Sequence, residues 1–246
     1  MVRSTVPASG SLSGITDRGG LAGVGLEPEP GEAHSPHRVD MRASPGHRLM
    51  LLYRLFLVLG RPLAWLVFRP EVRGREHVPG EGGFVVAPTH LSGFDVVAMA
   101  YATPRPVRNM GKSELFRRSL LGPFVRSLGA FPARDEHGLE GGVPAAAALA
   151  TDGSAVAIYP EGARRRGRER RPRTGAARAA LAAGVPLVPA AIRGTDGWRA
   201  RRRWQVAFGP PIDLRDLAGR TDYKAAREAT GRMWAAVKSL EAGLAG

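Results

Sequence analysis

Apolar residues along the chain come in short blocks, and the blocks alternate between two forms. Phe84 to Ala87 is a continuous apolar run closed by Pro88, and Ala155 to Tyr159 repeats the form. Runs this short, bounded by Gly or Pro, predict buried strands, because proline cannot donate to a sheet ladder. Glu71 to His77, Val107 to Met110, Ala130 to Ala133, Pro186 to Ile192 and Gln205 to Phe208 predict further strands. Longer segments lie between them: Val96 to Ala102, Ser113 to Leu121, Phe124 to Leu128, the alanine-rich Val143 to Thr151, Arg173 to Ala183 and the amphipathic Tyr223 to Leu244. These predict helices, and Gly153 and Gly184 are placed to close two of them. Strands alternating with helices imply an α/β fold, a mostly parallel central sheet flanked by helices. Ligands of such sheets gather at the carboxyl ends of strands. His90, Arg134 and Glu161 each come just after a predicted strand.

The pattern changes toward the amino terminus. Leu49 to Phe68 is strongly apolar but is interrupted by Arg54, Arg61 and Pro62. Each half is shorter than the roughly 20 residues of a spanning helix. Gly60 ends one predicted helix and Pro62 opens the next, giving a hydrophobic helix pair. Its expected role is an interfacial membrane anchor, with Arg48, Arg54, Arg61 and Arg69 reaching toward headgroups. Packing on the domain's own core is the competing reading. Residues 1–40 are rich in Gly, Ser, Pro and Glu without an apolar period and read as a disordered tail. Met41 is an alternative start. No apolar core of a secretory signal lies near Met1, so export is not expected. The expected organisation is a tail over 1–40, an anchoring helix pair over 41–70 and an α/β domain over 71–246.

Composition narrows the chemistry. The 246 residues hold no cysteine, which excludes disulfides, thiolate metal sites and cysteine nucleophiles. No H-E-x-x-H pattern or histidine cluster suggests a metal. The net charge is +14, and lysine stands only at 112, 224 and 238, so arginine dominates. Such an excess points to an anionic partner: nucleic acid, an anionic membrane surface or a phosphorylated substrate.

Two constellations carry candidate chemistry. His90 lies in the turn after the Phe84–Ala87 strand, and Asp95 opens the next helix. That compression allows Asp95 to fold back and fix the imidazole, leaving the other ring nitrogen as a general base for a hydroxyl. The His-x4-Asp spacing alone is too common to carry this, a loop histidine beside a helix-capping aspartate being the plain alternative. The second constellation is Tyr159-Pro-Glu-Gly-Ala-Arg-Arg165. Gly162 would let backbone approach a ligand, Arg164 could clamp a phosphate bidentately, and Glu161 could hold that cation or a substrate hydroxyl. Arg165, Arg166, Arg168, Arg170 and Arg171 read as a solvated run.

Four ordered blocks now resemble the glycerolipid acyltransferase family: His90-x4-Asp95, Gly129-Ala-Phe-Pro-Ala-Arg134, Pro160-Glu-Gly-x-Arg164 and Val185-Pro-Leu-Val-Pro189. The resemblance runs from about Arg69 to Ile212. The family includes 1-acyl-sn-glycerol-3-phosphate acyltransferases. It implies that His90 deprotonates an acceptor hydroxyl, that the oxygen attacks the thioester of acyl-CoA or acyl carrier protein, and that Asp95 orients His90. Lys112, Arg134, Glu161, Gly162 and Arg164 would hold a lysophospholipid's phosphate and glycerol, with simple salt bridging the alternative for Arg134 and Lys112. The acyl thioester is a substrate, and no cofactor or metal is expected. The implied setting is the cytoplasmic face of a membrane. Departures exist: Thr89 stands where the family often has Asn, Ala163 and Arg165 replace a usual Thr and Ser, and Arg173 replaces a frequent Lys. A different lysolipid or glycolipid acceptor is therefore an open alternative. A basic nucleic-acid-binding protein is the reading from another class, but no nucleic-acid motif accompanies the scattered charge.

Overall fold

The computed structural model describes residues 59, 62, 65–117, 122, 125–126, 129–133, 141–165, 167–197 and 203–244. Over these residues the chain forms strands β1 (Glu71–Arg73), β2 (Phe84–Pro88), β3 (Val107–Lys112), β4 (Phe131–Ala133), β5 (Ala155–Ala157), β6 (Leu187–Arg193) and β7 (Gln205–Phe208). The helices are α1 (Asp95–Ala102), α2 (Ser113–Arg117), α3 (Val143–Thr151), α4 (Gly175–Ala183) and α5 (Tyr223–Gly243). The strands make one sheet in the order β1-β7-β6-β2-β5-β3-β4.

The sheet is mostly parallel, as the alternating pattern predicts. β2 lies between β5 and β6 and is parallel to both, Val85 pairing with Val156 on one side and Leu187 on the other. β3 is parallel to β5 and to β4. β7 runs antiparallel to β6, and β1 is parallel to β7, so these two strands oppose the other five.

The continuous apolar character of β2 follows from burial on both faces. Phe84 and Val86 join a core with Met99, Val188, Ile192, Trp204 and Phe208. Val85 and Ala87, pointing the other way, join Val156, Leu187, Ala146, Ala177, Met233 and Val237. Alanine on α3 and α4 lets backbone come close. A Cβ added at Gly83 would lie 1.7 Å from the Ala150 carbonyl oxygen.

Some boundaries differ from the sequence expectation, each for a local reason. The strand expected over 71–77 stops at Arg73, because Gly74 turns at φ 70° against the Phe208 carbonyl, and Arg75–His77 forms a 3-10 turn instead. β5 stops at Ala157. Ile158 still donates to the Val86 carbonyl at 3.0 Å, and Tyr159 leaves the sheet. The helix expected from Arg173 begins at Gly175, since the Arg173 N–H is held by the Pro160 carbonyl at 2.8 Å. Of the helix expected over 113–121, residues 113–117 are described and helical. Of the helix pair expected over 49–68, residues 65–68 are helical, and most of the remainder lies outside the described residues, as do residues 1–40.

Candidate active site

Three neighbouring parallel strands deliver the site at their carboxyl ends: β2 leads to His90, β5 to Tyr159 and Glu161, and β6 to Thr195. Thr89 fixes the alignment of two of them. Its hydroxyl accepts the Ile192 N–H at 2.8 Å and lies 3.3 Å from the Ile192 carbonyl, so β2 and β6 leave the sheet in register.

The turn after β2 is wrapped around one carboxylate. Asp95 is fully buried at the start of α1. Its Oδ2 lies 2.8 Å from His90 Nδ1 and accepts the N–H groups of Leu91 at 2.7 Å and Ser92 at 2.9 Å. Thr195 donates its hydroxyl to the other oxygen, Oδ1. A buried charge needs this many donors to be tolerated. Because a carboxylate only accepts, Nδ1 carries the imidazole proton and Nε2 presents its lone pair. Nε2 has no hydrogen-bond partner among the described residues, and the ring keeps 19% of its surface exposed.

Tyr159 packs against that ring, centroid to centroid 4.3 Å, and donates its hydroxyl to Asn109 Oδ1 at 3.2 Å. Burial, with the Asp95 charge nearby, holds the phenol well above its ordinary pKa, so it stays neutral. Asn109 is buried on β3.

Glu161 is buried as well, and both its oxygens are engaged. Oε1 accepts the His90 backbone N–H at 3.2 Å, and Oε2 accepts Arg165 Nε at 2.8 Å. Arg165 also pairs with Glu241 on α5 through Nη1. Its backbone N–H donates to the His90 carbonyl at 2.9 Å. Burial works against the Arg165 charge, but the hydrogen bonds to Glu161 and Glu241 outweigh it and hold its pKa above the usual guanidinium value.

The structure therefore joins His90, Asp95 and Glu161 in one cluster and treats the other sequence candidates differently. Gly162 adopts φ 68°, and the space a Cβ would need is filled by the Arg173 side chain. Arg164 is exposed. Arg165, expected to be solvated, is 13% exposed and turned inward, because the loop carries it back beneath the His90 turn. Arg168, Arg170 and Arg171 are exposed, as expected of a solvated run. Lys112 is the last residue of β3, and Arg134 lies outside the described residues. Among the described residues no group of three or more His, Asp or Glu is placed to hold a metal ion.

Thr195, Asn109 and Glu241 were not singled out by sequence reasoning. Thr195 had a signal: it follows the end of β6, beside the strand that carries His90. Glu241 had none, being 76 positions from Arg165 on a helix whose charged residues look like an ordinary solvated face.

The chain is similar to proteins that are already known. The Acyltransferase family model matches residues 69–193. Among curated proteins, the 1-acyl-sn-glycerol-3-phosphate acyltransferase of Bacillus subtilis is 30% identical over 153 residues, covering 60% of this chain and 76% of that protein. The enzyme of the same name from Streptococcus pneumoniae is 32% identical over 153 residues, covering 58% of this chain and 54% of its own. Among solved structures, the 1-acyl-sn-glycerophosphate acyltransferase PlsC of Thermotoga maritima shares the fold with a TM-score of 0.56 at 20% identity, over 79% of this chain and 80% of that one. The match to the family model spans β1 through β6, including the His90, Asp95 and Glu161 cluster, and on it the chain belongs to the Acyltransferase family.

Proposed function

We propose that the protein transfers a fatty acyl group from acyl-CoA or acyl carrier protein to the free hydroxyl of 1-acyl-sn-glycerol-3-phosphate, giving phosphatidic acid. The observation that carries the mechanism is the His90 Nδ1–Asp95 Oδ2 contact of 2.8 Å, which leaves Nε2 without a partner among the described residues. Nε2 takes the acceptor's hydroxyl proton as its oxygen attacks the thioester carbonyl. The tetrahedral intermediate then collapses, the C–S bond breaks, and the thiolate leaves with the proton that His90 returns. Asp95 steadies the imidazolium in between. The names of the chain's Bacillus and Streptococcus relatives support the choice of lysophosphatidic acid.

For the acceptor's phosphate we assign Arg164, exposed on the loop after β5, with Lys112 at the end of β3 and Arg134 in the segment after β4. Glu161 and Gly162 would shape the same loop. If this clamp is right, Arg164→Lys raises the KM for lysophosphatidic acid severalfold and leaves the thioester's KM within about twofold, because one ammonium cannot reproduce the guanidinium fork. Ala163, which lacks the family's usual hydroxyl, favours testing lysolipids with other anionic headgroups in the same panel. Equal use of acceptors without phosphate would remove the clamp.

Both substrates carry acyl chains, which suits a membrane-associated enzyme at the cytoplasmic face. Leu59, Trp65 and Leu66 are 64%, 60% and 69% exposed, an apolar presentation that supports an interfacial anchor. No helix among the described residues is long and apolar enough to cross a membrane. Purified protein mixed with palmitoyl-CoA and lysophosphatidic acid should release free thiol and form phosphatidic acid; thiol release that does not depend on the lysolipid would contradict the acceptor.

A further inference from the structure

Beside the Tyr159 ring that packs on it, His90 is held by three hydrogen bonds, and only one involves its side chain. The ring is fixed by Asp95, the backbone N–H is accepted by Glu161, and the backbone carbonyl is bonded by the Arg165 N–H. The last two both come from the loop after β5, so the position of the His90 backbone follows the position of that loop. The loop is itself tied down from outside the segment that defines the family. Arg165 bridges the buried Glu161 to Glu241 near the end of α5, beyond the residues matched by the family model. The Arg165 guanidinium lies 5.8 Å from the centroid of Trp234, one helical face along α5, and Lys238, which meets the same ring at 5.6 Å, is also 3.4 Å from Glu241.

From this we infer that Arg165 and Glu241 are positioning residues for acyl transfer, through which the carboxyl-terminal helix α5 sets the placement of the His90 turn. The inference rests on His90 being the base. Along Glu241–Arg165–Glu161–His90, one largely buried cation joins a fully buried carboxylate, which holds the His90 backbone N–H, to a half-buried carboxylate on α5. Removing the cation leaves Glu161 buried and uncompensated, so the loop must rearrange to hydrate or protonate it, and the His90 N–H loses its acceptor geometry. Removing Glu241 leaves Arg165 paired with Glu161 but free to swing, a milder loss. Neither residue touches the substrate in this scheme, so their effect belongs in kcat and not in substrate affinity.

The test uses the full-length enzyme with palmitoyl-CoA and lysophosphatidic acid, measuring thiol release and melting temperature. Arg165→Ala should lower kcat at least tenfold, with both KM values within about twofold of wild type. Glu241→Ala should lower kcat about threefold, and adding it to Arg165→Ala should cost little more, because both break the same tether. Glu161→Gln placed on top of Arg165→Ala should recover a large part of the lost kcat, since a neutral amide can still accept the His90 N–H and needs no cation. A residue that merely supports the fold would show no such recovery. An Arg165→Ala enzyme with unchanged kcat, or one defective only in the KM for lysophosphatidic acid, overturns the inference, the second outcome making Arg165 a phosphate ligand. Should Arg165→Ala fail to fold, an unchanged kcat in well-folded Glu241→Ala overturns it equally. Wild-type enzyme that releases no thiol, or a fully active His90→Ala variant, would instead defeat the functional reading on which it rests.

Discussion

At the scale of single residues, the site works by spending polar groups to hold one ring nitrogen in place. Asp95 accepts from His90, Leu91, Ser92 and Thr195, so its charge is shared among four donors and its orientation is fixed. Asp95→Asn should therefore slow turnover less than His90→Ala does while leaving the melting temperature nearly unchanged, since the amide oxygen can still accept the two backbone N–H groups. Thr195→Val removes one donor at nearly constant volume. The expected result is roughly a tenfold fall in kcat, the scale of one hydrogen bond to a charged group, restored by Thr195→Ser, with kcat and melting temperature measured side by side. The His–Asp pair was legible in the sequence because the strand, turn and helix start are local. The roles of Arg164 and Arg165 were not. They are neighbours in a run of arginines, and which one turns inward depends on the path of a loop anchored at the Pro160 and His90 carbonyls. No periodicity encodes that path.

At the scale of elements, the strands and helices were readable wherever burial on both faces or an alanine-rich helix wrote a continuous pattern. The lengths of β2, α3 and β7 follow from Pro88, Gly153 and the apolar run Val206–Phe208 behind Gln205. Strand direction was less accessible. β7 returns antiparallel to β6 and brings β1 with it, and a buried apolar run reads the same in either direction. Two element-level consequences can be measured. Gly83→Ala drives a methyl group into the Ala150 carbonyl, so the urea midpoint should fall by an amount equivalent to roughly 1–3 kcal/mol of overpacking. Asp222 caps α5 by accepting the Ala225 N–H at 3.0 Å. Hydrogen bonding to Arg220, and then to that N–H, holds its carboxyl at about 2, below the ordinary 3.8. The cap's ionic contribution is thus present above the unfolded value and is lost as pH falls through the folded one. Asp222→Ala should lower the melting temperature at pH 7 and make progressively less difference as the pH approaches 2.

At the scale of the whole molecule, the large positive charge is unevenly compensated. Arg215, Arg220 and Arg232 sit against Asp213, Asp222 and Asp216. Arg164, Arg168, Arg170 and Arg171, on the loop that leads away from Glu161, are exposed and make no ion pair among the described residues. An uncompensated basic loop next to the proposed phosphate clamp should make association with anionic vesicles fall steeply with added salt. Deleting residues 41–68 should abolish flotation with such vesicles, whereas deleting residues 1–40 should change it little. Flotation retained without residues 41–68 would assign membrane binding to the basic surface alone. The functional account depends on the chemistry at His90, and one comparison reaches it directly. Thiol release from palmitoyl-CoA in the presence of lysophosphatidic acid is to be measured for wild type and for folded His90→Ala. The account predicts lysolipid-dependent release by wild type and a rate at least about a hundredfold lower for the variant, the usual scale of losing a general base; a variant that turns over at the wild-type rate would contradict it.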